Sequence, residues 1–547
     1  MTEIFKSRTI RTNQFIAPLR FMAFRRIWVA SLLSNLGILM QGVGAAWAMT
    51  QMASSDDQVA LVQTATTLPI MLIAIPAGAL ADMHDRRIVA LVSLGITLAG
   101  GTALTTLAWL SMVTPNILLA LCFVVGSGMA LMAPAWQSSV SELVPSEALP
   151  AAVGLNWISY NIARTVGPAI AGIIVAMSGA VAAFALSALL YLPLVAALLL
   201  WKRDVAKPRL PAENLNRAIV SGVRYIINSP SIKIVLTRCM FTGVVGGAVV
   251  ALLPLVARDL LRGDAQTYGI ILSAFGVGAV IGTVNMTNVR NRMSSEAAIR
   301  ACGLLMGGTF AVVGLSGHAV LTAAALLVAG AAWMLSWLLF SIDVQLLAPK
   351  WVAGRSLAAY HAISSGGIAV GSWGWGYLTD VAGAGTALLV SAALMFLSPL
   401  LGFWLPMLHV AEPCEEAEML ADPEVRLTLT SRSGPLVVEI EYRVAQENTL
   451  AFYGLMQKVR QSRQRNGACG WSISCDIADP ELWTERYHCP TWLDYLRQRN
   501  RSTRSERELD RQAVSFHIGP EPVRVRRKLD RSFGSIRQEG GGRRRGA

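Results

Sequence analysis

The dominant pattern along the chain is a series of long apolar runs that fills residues 27–410 and then stops. A helix needs roughly 20 apolar residues to cross the hydrocarbon core of a bilayer. Twelve runs have this length, so we predict twelve membrane-spanning helices. The predicted spans are 27–50, 59–81, 88–110, 115–140, 150–177, 179–200, 232–256, 267–289, 298–316, 319–346, 356–379 and 385–408. The first run is too long for the apolar region of a signal peptide and is expected to be retained.

Basic residues favour every second loop between these runs. They precede span 1 and follow spans 2, 6, 8 and 10, whereas the loop after span 1 has two aspartates and no basic residue. Two loops fit less well: the loop after span 4, residues 141–150, is acidic, and the loop after span 7 contains Arg258 and Arg262. By the positive-inside rule, we expect both termini in the cytoplasm and the protein in a bacterial inner membrane.

The two halves of the membrane region repeat each other at a constant offset. The matched pairs include Gly78 and Gly282, Arg86 and Arg290, Pro145 and Pro349, Gly167 and Gly371, Gly172 and Gly376, and Gly179 and Gly383. A duplicated six-helix unit predicts two bundles that bind substrate between them and rock to expose it on alternate sides. A channel is the competing interpretation.

A glycine, an aspartate and two arginines mark the loop after span 2. The stretch that begins at Gly78 reads G-A-L-A-D-M-H-D-R-R. Gly78 and Asp82 lie one turn apart on the same helix face, where glycine lets another helix approach closely. A carboxylate at the membrane edge can accept hydrogen bonds from the free N–H groups that open a neighbouring helix. An ordinary basic loop is the alternative.

This stretch resembles the signature of the major facilitator superfamily between helices 2 and 3. The resemblance implies that Gly78, Asp82, Arg86 and Arg87 form a conformational latch, which closes the cytoplasmic side against helix 11. In the second half Met286 replaces the aspartate, so the first copy is expected to hold the latch.

Span 5 combines a glycine-proline motif with an arginine. Gly167, Pro168 and Gly172 resemble the helix 5 motif of major facilitator antiporters, although a kinked packing seam is an equal alternative. Arg164 lies near the middle of the bilayer, where an arginine costs on the order of 2.5–3.5 kcal/mol. It is therefore expected to face a wet cavity, a substrate anion or a carboxylate. A structural ion pair or a snorkelling side chain is the alternative.

Other polar residues within the spans are candidates for the wall of a transport cavity. They are Asn35, Gln41, Asn156, Tyr160, Asn161, Asp343, Gln345 and His361. Asp343 could carry a proton or pair with His361, or it could serve only in capping or inter-helix bonding. The many tryptophans are expected mainly in interfacial belts.

The chain becomes an ordinary soluble sequence after Glu412. The expected elements are a strand at 436–444, a helix at 446–466, strands at 471–476 and 482–488, a helix at 491–510 and a strand at 514–525. This is ferredoxin-like order. The expected divisions of the chain are 1–26, the bundles 27–200 and 232–410 with their linker 201–231, a linker 411–430, the ferredoxin-like domain 431–530 and a basic tail 531–547.

The soluble part resembles the dimeric α/β-barrel domains related to antibiotic-biosynthesis monooxygenases. The resemblance rests on E-I-E-Y-R-V from Glu439, on Trp471 and on Trp492. It implies homodimerisation or regulation. Tyr495 and Arg499 stand where such relatives often have histidines, so catalysis is not expected.

Charge and cysteine content narrow the partners. The net charge is +13, but the basic residues lie in short loops and in the tail, so nucleic acid is not an expected partner. The seven cysteines form no CxxC pair, which argues against a metal site, and no cofactor is expected. The chain has no Walker A motif, which leaves a proton or ion gradient as the energy source.

The resemblance extends over the whole chain to the transmembrane secretion effectors, a subfamily similar to the enterobactin exporter. It implies an exporter of a small amphipathic molecule, siderophore-like or drug-like, and not an enzyme. The competing functions are an importer, and a membrane-anchored enzyme or regulator that acts through the soluble domain.

Overall fold

The computed structural model describes residues 17–83, 85–145, 148–201, 215–407 and 432–530, together with a few positions between 423 and 430. The chain divides into two compact units. Unit 1 consists of Met1–Ile219, Ile234–Val344 and Leu357–His409. Unit 2 consists of Val220–Lys233, Gln345–Ser356 and Val410–Ala547.

The membrane region is entirely helical where it is described. After a 3-10 turn at Ala17–Arg20, its helices are α1 (Met22–Met52), α2 (Asp56–Met83), α3 (Arg86–Trp109), α4 (Pro115–Leu143), α5 (Leu149–Leu200), α6 (Leu215–Ile227), α7 (Pro230–Leu255), α8 (Ala265–Arg292), α9 (Ser295–Leu315), α10 (Ala319–Leu347), α11 (Lys350–Ala382), α12 (Ala384–Leu397) and α13 (Leu401–Trp404). A π-helical turn, Val256–Leu260, extends α7.

Ten helices in the described part of the chain are long and apolar enough to cross a membrane. One of these stretches, Ile158–Leu200, lies in α5 and holds both span 5 and span 6. The helix α11 is not among the ten, because its many glycine, serine and charged residues lower its hydropathy. Divided at Gly179 and completed by α11, the set is the twelve-helix, two-bundle architecture that the sequence predicts.

Two glycines at repeat-related positions break the helices where the spans were expected to end. Gly179 has φ 77° and ψ 171° inside α5, and Gly383 has φ 83° and ψ 157° between α11 and α12. Only glycine adopts this backbone region readily. The matching torsions place the same helical hairpin in both halves, as duplication predicts.

Packing against the first helix of each half also repeats. A Cβ at Gly167 in α5 would lie 3.3 Å from Cβ of Leu39 in α1. The repeat partner Gly371, in α11, touches the backbone of Val244 in α7. Close approach at small residues is how helices pack within a bilayer, where apolar side chains gain little by leaving lipid.

The soluble domain of unit 2 is a four-stranded antiparallel sheet with helices between its strands. Its elements are β1 (Leu436–Arg443), α14 (Thr449–Asn466), β2 (Cys469–Cys475), β3 (Leu482–Cys489), α15 (Trp492–Asn500), α16 (Arg504–Ser515) and β4 (Arg524–Leu529). The strand order β2-β3-β1-β4 confirms the ferredoxin-like prediction.

The predicted last helix and last strand were wrong in detail. The segment 491–510 forms two helices, and Val514 lies in the last turn of the second helix instead of opening a strand. A capping box explains the restart: Thr503 accepts a hydrogen bond from the backbone N–H of Glu506, whose carboxylate accepts from the N–H of Thr503. The strand β4 therefore begins only at Arg524.

The two faces of this sheet differ in chemistry. Val438, Ile440 and Tyr442 point toward the helices and pack with Phe452 and Met456 of α14. Residues at alternate positions of β1 point to the other face. There the Glu439 carboxylate accepts a hydrogen bond from Lys528 across the β1–β4 pair, and Glu441 pairs with Arg526.

A candidate transport site between the two halves

The helices α5 and α8 meet along a seam of direct backbone contact. A Cβ on Gly172 would lie 2.6 Å from the carbonyl oxygen of Ala265, and one on Gly269 would lie 2.5 Å from that of Pro168. One on Gly276 would lie 2.5 Å from the carbonyl oxygen of Arg164. No side chain fits at these points, so the glycine-proline motif of span 5 forms part of an inter-bundle seam.

Sequence reasoning missed the α8 side of this seam. Gly269 and Gly276 are seven residues apart, which places them two turns apart on one helix face. That spacing is the signal that could have identified them.

A second inter-bundle seam joins α2 to α11. These two helices are the repeat counterparts of α8 and α5, which form the first seam. The hydroxyl of Thr64 donates to the carbonyl oxygen of Ala369 at 2.9 Å. A Cβ on Gly376 would lie 2.6 Å from Cβ of Ala60. The contact therefore runs along the first turns of α2 from its beginning at Asp56, and we call this end of unit 1 the Asp56 end.

Charged groups close the two halves together at the Asp56 end. Arg258 Nη2 lies 2.6 Å from Asp56 Oδ1, and Arg258 Nη1 lies 3.4 Å from the carbonyl oxygen of Thr50. Asp380 of α11 accepts hydrogen bonds from the backbone N–H groups of Asp56 and Asp57. These N–H groups open α2 and lack helical partners, so a carboxylate is favourable there. Arg258, an exception to the charge pattern of the loops, thus has a structural role at this end.

The opposite end of α2 lacks such packing. Within the described residues, no atom outside its own helical neighbourhood would come within 4 Å of a Cβ placed on Gly78. The side chain of Asp82 lies outside the described residues. Asp85 caps α3 by accepting from the N–H of Arg87 at 2.9 Å, and the Arg87 guanidinium donates to the carbonyl oxygen of Leu199 at 2.7 Å. Arg86 is the first residue of α3, and the latch stays a prediction.

Arg164 lies at the junction of three helices. Its Nη1 lies 3.7 Å from Sδ of Met334 in α10, and its Cζ lies 5.6 Å from the ring centroid of Phe275 in α8. Among the described residues these are its side-chain partners, and neither is a carboxylate. Both contacts are weaker than a charge-assisted hydrogen bond to a carboxylate.

A row of aromatic rings extends from this arginine into the second half. Ring centroids are 6.4 Å apart for Phe275 and Trp333, 5.2 Å for Trp333 and Trp337, 6.2 Å for Trp337 and Tyr360, and 5.2 Å for Tyr360 and His361. We call these five residues the aromatic row. Trp333 is buried, whereas Trp337 and His361 are half-buried. Trp333 and Trp337 pack against rings of other helices, and the interfacial belt stays a prediction for the remaining tryptophans.

The polar candidates of the first half occupy two different places. The amide of Asn35 donates to the hydroxyl of Ser159 at 3.4 Å, between α1 and α5. Asn156 and Asn161 lie on the same helix as Arg164, Asn161 being buried, and Tyr160 is exposed. Their role in the wall of a transport cavity stays a prediction.

Gln41 is instead buried between helices of its own half, where its amide oxygen accepts from the hydroxyl of Tyr191 at 2.9 Å. Its predicted role in the cavity stays a prediction.

The polar candidates of the second half are also separated. Asp343 is buried and accepts a hydrogen bond from Ser295 of α9 at 3.2 Å, an inter-helix bond of the kind considered above. Gln345 is exposed near the end of α10. The ring of His361 contacts Tyr360. The proposed pairing of Asp343 with His361 stays a prediction.

A buried ion-pair network joins α7 to α9 in the second half, and sequence reasoning missed it. Arg238 of α7, only 3% exposed, pairs with Glu296 of α9, which also pairs with Arg300 at 2.6 Å. Glu296 accepts from the backbone N–H of Met407 at 3.1 Å as well.

In the described residues, no group of three or more His, Cys, Asp or Glu side chains could hold a metal ion.

Comparison with known proteins places this architecture among transporters. Residues 13–533 match the family model described as transmembrane secretion effector. The chain is 26% identical to the enterobactin exporter EntS of Shigella flexneri over 69% of this chain and 91% of that protein. It is 22% identical to the multidrug efflux pump Tap of Mycolicibacterium fortuitum, over 73% of this chain and 98% of the pump.

The fold also matches solved transporter structures. The crystal structure of a bacterial homologue of the human lysosomal transporter Spinster, in an inward-facing and unoccupied conformation, aligns with a TM-score of 0.57 and 12% identity. The alignment covers 71% of this chain and 97% of that one. At this identity the match concerns the fold alone.

Proposed function

Because the chain belongs to the transmembrane secretion effector family of major facilitator transporters, we propose that it exports a small amphipathic molecule by alternating access. That it is a multi-pass membrane transporter follows from the family. Export, the gradient that drives it and the nature of the substrate are the proposed parts.

The observation that carries the proposal is the unequal contact along α2. Its first half packs on α11, reinforced by Arg258 and Asp380, whereas a Cβ on Gly78 would meet nothing within 4 Å in the described part of the chain. A cleft sealed at the Asp56 end and open at the Gly78 end is one of the two states that alternating access requires. By the positive-inside rule the Gly78 end is cytoplasmic, so this is the state that loads an export substrate.

The transport cycle then exchanges one set of contacts for another. Closing the Gly78 end brings Gly78 and Asp82 to the beginning of α11. Opening the Asp56 end breaks the Arg258–Asp56 pair and removes the Asp380 carboxylate from the start of α2. Each state thus has its own helix-terminus contact, made by a carboxylate on the partner helix.

The substrate proposal rests on Arg164 and the aromatic row. A guanidinium near mid-membrane without a carboxylate partner in the described chain favours a ligand with an anionic group. Trp337 and His361 add flat surfaces for the apolar part of the same ligand. The names of two relatives, an enterobactin exporter and a multidrug efflux pump, agree with an amphipathic substrate.

Energy is proposed to come from a proton or ion gradient, since the chain has no nucleotide-binding motif. Asp343 and His361 are the candidates for the coupling residue. The variants are Asp343→Asn and His361→Gln. Transport by each variant is measured with and without an ionophore that collapses the gradient, and the comparison identifies the residue that carries the coupling. Transport by a coupling variant becomes insensitive to the ionophore.

The test measures direction and charge preference together. Cells that lack or overproduce the full-length protein are loaded with an aromatic carboxylate dye, its neutral methyl ester or ethidium. We expect overproduction to lower accumulation of the carboxylate dye and deletion to raise it. Overproduced Arg164→Met should not lower accumulation, whereas Arg164→Lys should retain part of the effect. Depletion of the dye on deletion would show uptake and contradict export. Equal handling of all three probes would contradict the anionic site.

A further inference from the structure

The soluble domain carries a face that already has a partner in its own chain. Unit 2 joins this domain to two short segments from the membrane region, Val220–Lys233 and Gln345–Ser356. The first contains most of α6 and the start of α7, and the second contains the end of α10 and the start of α11. We call these two segments the connector pair.

The two connectors are bound to each other. The rings of Tyr225 and Trp351 meet edge to face with centroids 5.3 Å apart. Arg355 Nη1 donates to the hydroxyl of Ser221 at 2.8 Å. A Cβ on Gly222 would lie 2.9 Å from Cδ of Arg355, so the arginine stem lies directly on the helix backbone.

Each aromatic ring of the connector pair is covered by an arginine of the soluble domain. Arg501, which follows α15, places its Cζ 4.1 Å from the ring centroid of Trp351. Arg465, near the end of α14, places its Cζ 5.6 Å from the ring centroid of Tyr225. Cation–π contacts contribute about 0.5–1 kcal/mol when exposed and about 2 when desolvated. Tyr225 is only 2% exposed, so its contact belongs with the stronger ones.

A glycine turn lets the backbone of the domain come close to the connector helix. Gly467 ends α14 with φ 117°, and a Cβ there would lie 2.9 Å from a guanidinium nitrogen of Arg224. The contact therefore combines two stacked arginines with close backbone fit. We call Arg465, Gly467 and Arg501 the docking face.

The position of the second connector gives the docking face a mechanical consequence. Contacts between α2 and α11 follow an antiparallel register, with Ala60 against Gly376, Thr64 against Ala369 and Met71 against Gly366. Continued by about two turns in each helix, this register brings Gly78 opposite the residues that begin at Leu357. That stretch directly follows the connector in the chain.

We propose that the docking face is a binding surface for the connector pair, and that docking restrains the start of α11 so that the Gly78 end stays open. The soluble domain then regulates the transporter, because undocking frees α11 to approach α2. The second part rests on the proposed alternating-access function, whereas the binding surface does not.

Hydrogen exchange of the full-length protein in nanodiscs, read by mass spectrometry, tests both parts. Arg465 also pairs with Glu506 of its own domain at 2.7 Å, so it is changed to Gln, which can still donate to that carboxylate. The variant is Arg465→Gln with Arg501→Glu, and the control is Arg511→Glu, an exposed arginine of the same domain. We expect peptides covering 220–233 and 345–356 to exchange about tenfold faster in the double variant. Strand peptides covering 436–443 and 482–489 should keep their rates, which shows that the domain is still folded.

The peptide that contains Gly78 reports the regulatory part. In the double variant it should exchange more slowly, because the open end closes more often, and dye export should change about two- to fivefold. Connector peptides with wild-type exchange rates would overturn the docking surface. Faster connectors with an unchanged Gly78 peptide would overturn regulation alone. Neither outcome depends on the direction of transport, so failure of the export proposal is recognised separately.

Discussion

Each of the two units contains a half-buried arginine, and the two arginines have different partners. In the soluble domain Arg463 lies 3.1 Å from Glu485 and 2.9 Å from Asp510. Glu485, which is fully buried, also accepts from the indole of Trp471 at 2.9 Å. In the membrane unit Arg164 has a thioether and a ring. Removing one partner of a buried ion pair leaves an uncompensated charge and is costly, so the partners of Arg463 are expected to matter for stability. Arg164 has no carboxylate partner among the described residues.

Breaking the satisfied network should have the largest effect. Glu485→Ala leaves Arg463 buried beside only one carboxylate, and loss of a buried partner typically costs about 3–5 kcal/mol. We expect the strand peptides of the soluble domain in the full-length protein to lose most of their protection from hydrogen exchange. The control is Glu508→Ala, which removes an exposed partner of Arg511 and Gln512. Equal protection in both variants would contradict the contrast between the two arginines.

Removing Arg164 should abolish transport without unfolding the membrane unit. In Arg164→Met an apolar side chain replaces a partly buried charge, which is often neutral or stabilising. Dye export is expected to fall to background, with the thermal midpoint in detergent shifting by no more than about 3 °C. A loss of stability comparable to that of Glu485→Ala would mean that Arg164 is a structural residue.

Arg258 is intermediate between these cases, because it has carboxylate partners but is about one-third exposed. Exposed pairs contribute about 0.2–1 kcal/mol, so Asp56→Asn or Arg258→Gln should open the Asp56 end only about 1.4- to 5-fold more often. The measurement is the rate of thiol labelling of Thr64→Cys in a background without other cysteines. Exchanging the two residues, Asp56→Arg with Arg258→Asp, should restore slow labelling if the pair itself matters.

The smallest effect is expected on the outer face of the sheet. The hydrogen bond from Lys528 is the main reason that the pKa of Glu439 lies below its ordinary value of 4.5. The stabilisation from this lowered pKa is present above pH 4.5 and is lost as the pH falls through the lowered folded value. Lys528→Met should therefore flatten the acid dependence of unfolding below about pH 4.5, followed by tryptophan fluorescence. The matched variant at exposed Lys458 should leave it unchanged.

Much of the fold could be predicted from the sequence because its determinants are local. Apolar length gave the spans, and the constant offset between Gly179 and Gly383 gave the two repeated hairpins. Local features also explain where the structure departs from the sequence pattern. A hydropathy count omits α11, whose polar residues are buried against other helices, and the capping box at Thr503 overrode the strand pattern expected after Val514.

The candidate site could be predicted only in part. Sequence reasoning identified Arg164, Gly167 and Gly172 because an arginine or a glycine-proline pair is unusual within a span. It could not pair them with Met334 or with the α8 glycines, since contacts between distant helices leave no short-range pattern. The latch, the cavity residues and dimerisation through the soluble domain stay predictions.

The glycines at the two hairpins have a consequence for how these turns can vary. A Cβ placed on Gly179 or Gly383 would meet nothing within 4 Å, so there is room for a larger residue. What excludes one is chirality: an L-residue is strained at these torsions, but its mirror image is not. A D-alanine introduced by chemical ligation should fit where L-alanine does not, and even asparagine, tolerant of left-handed helical angles, should be rejected.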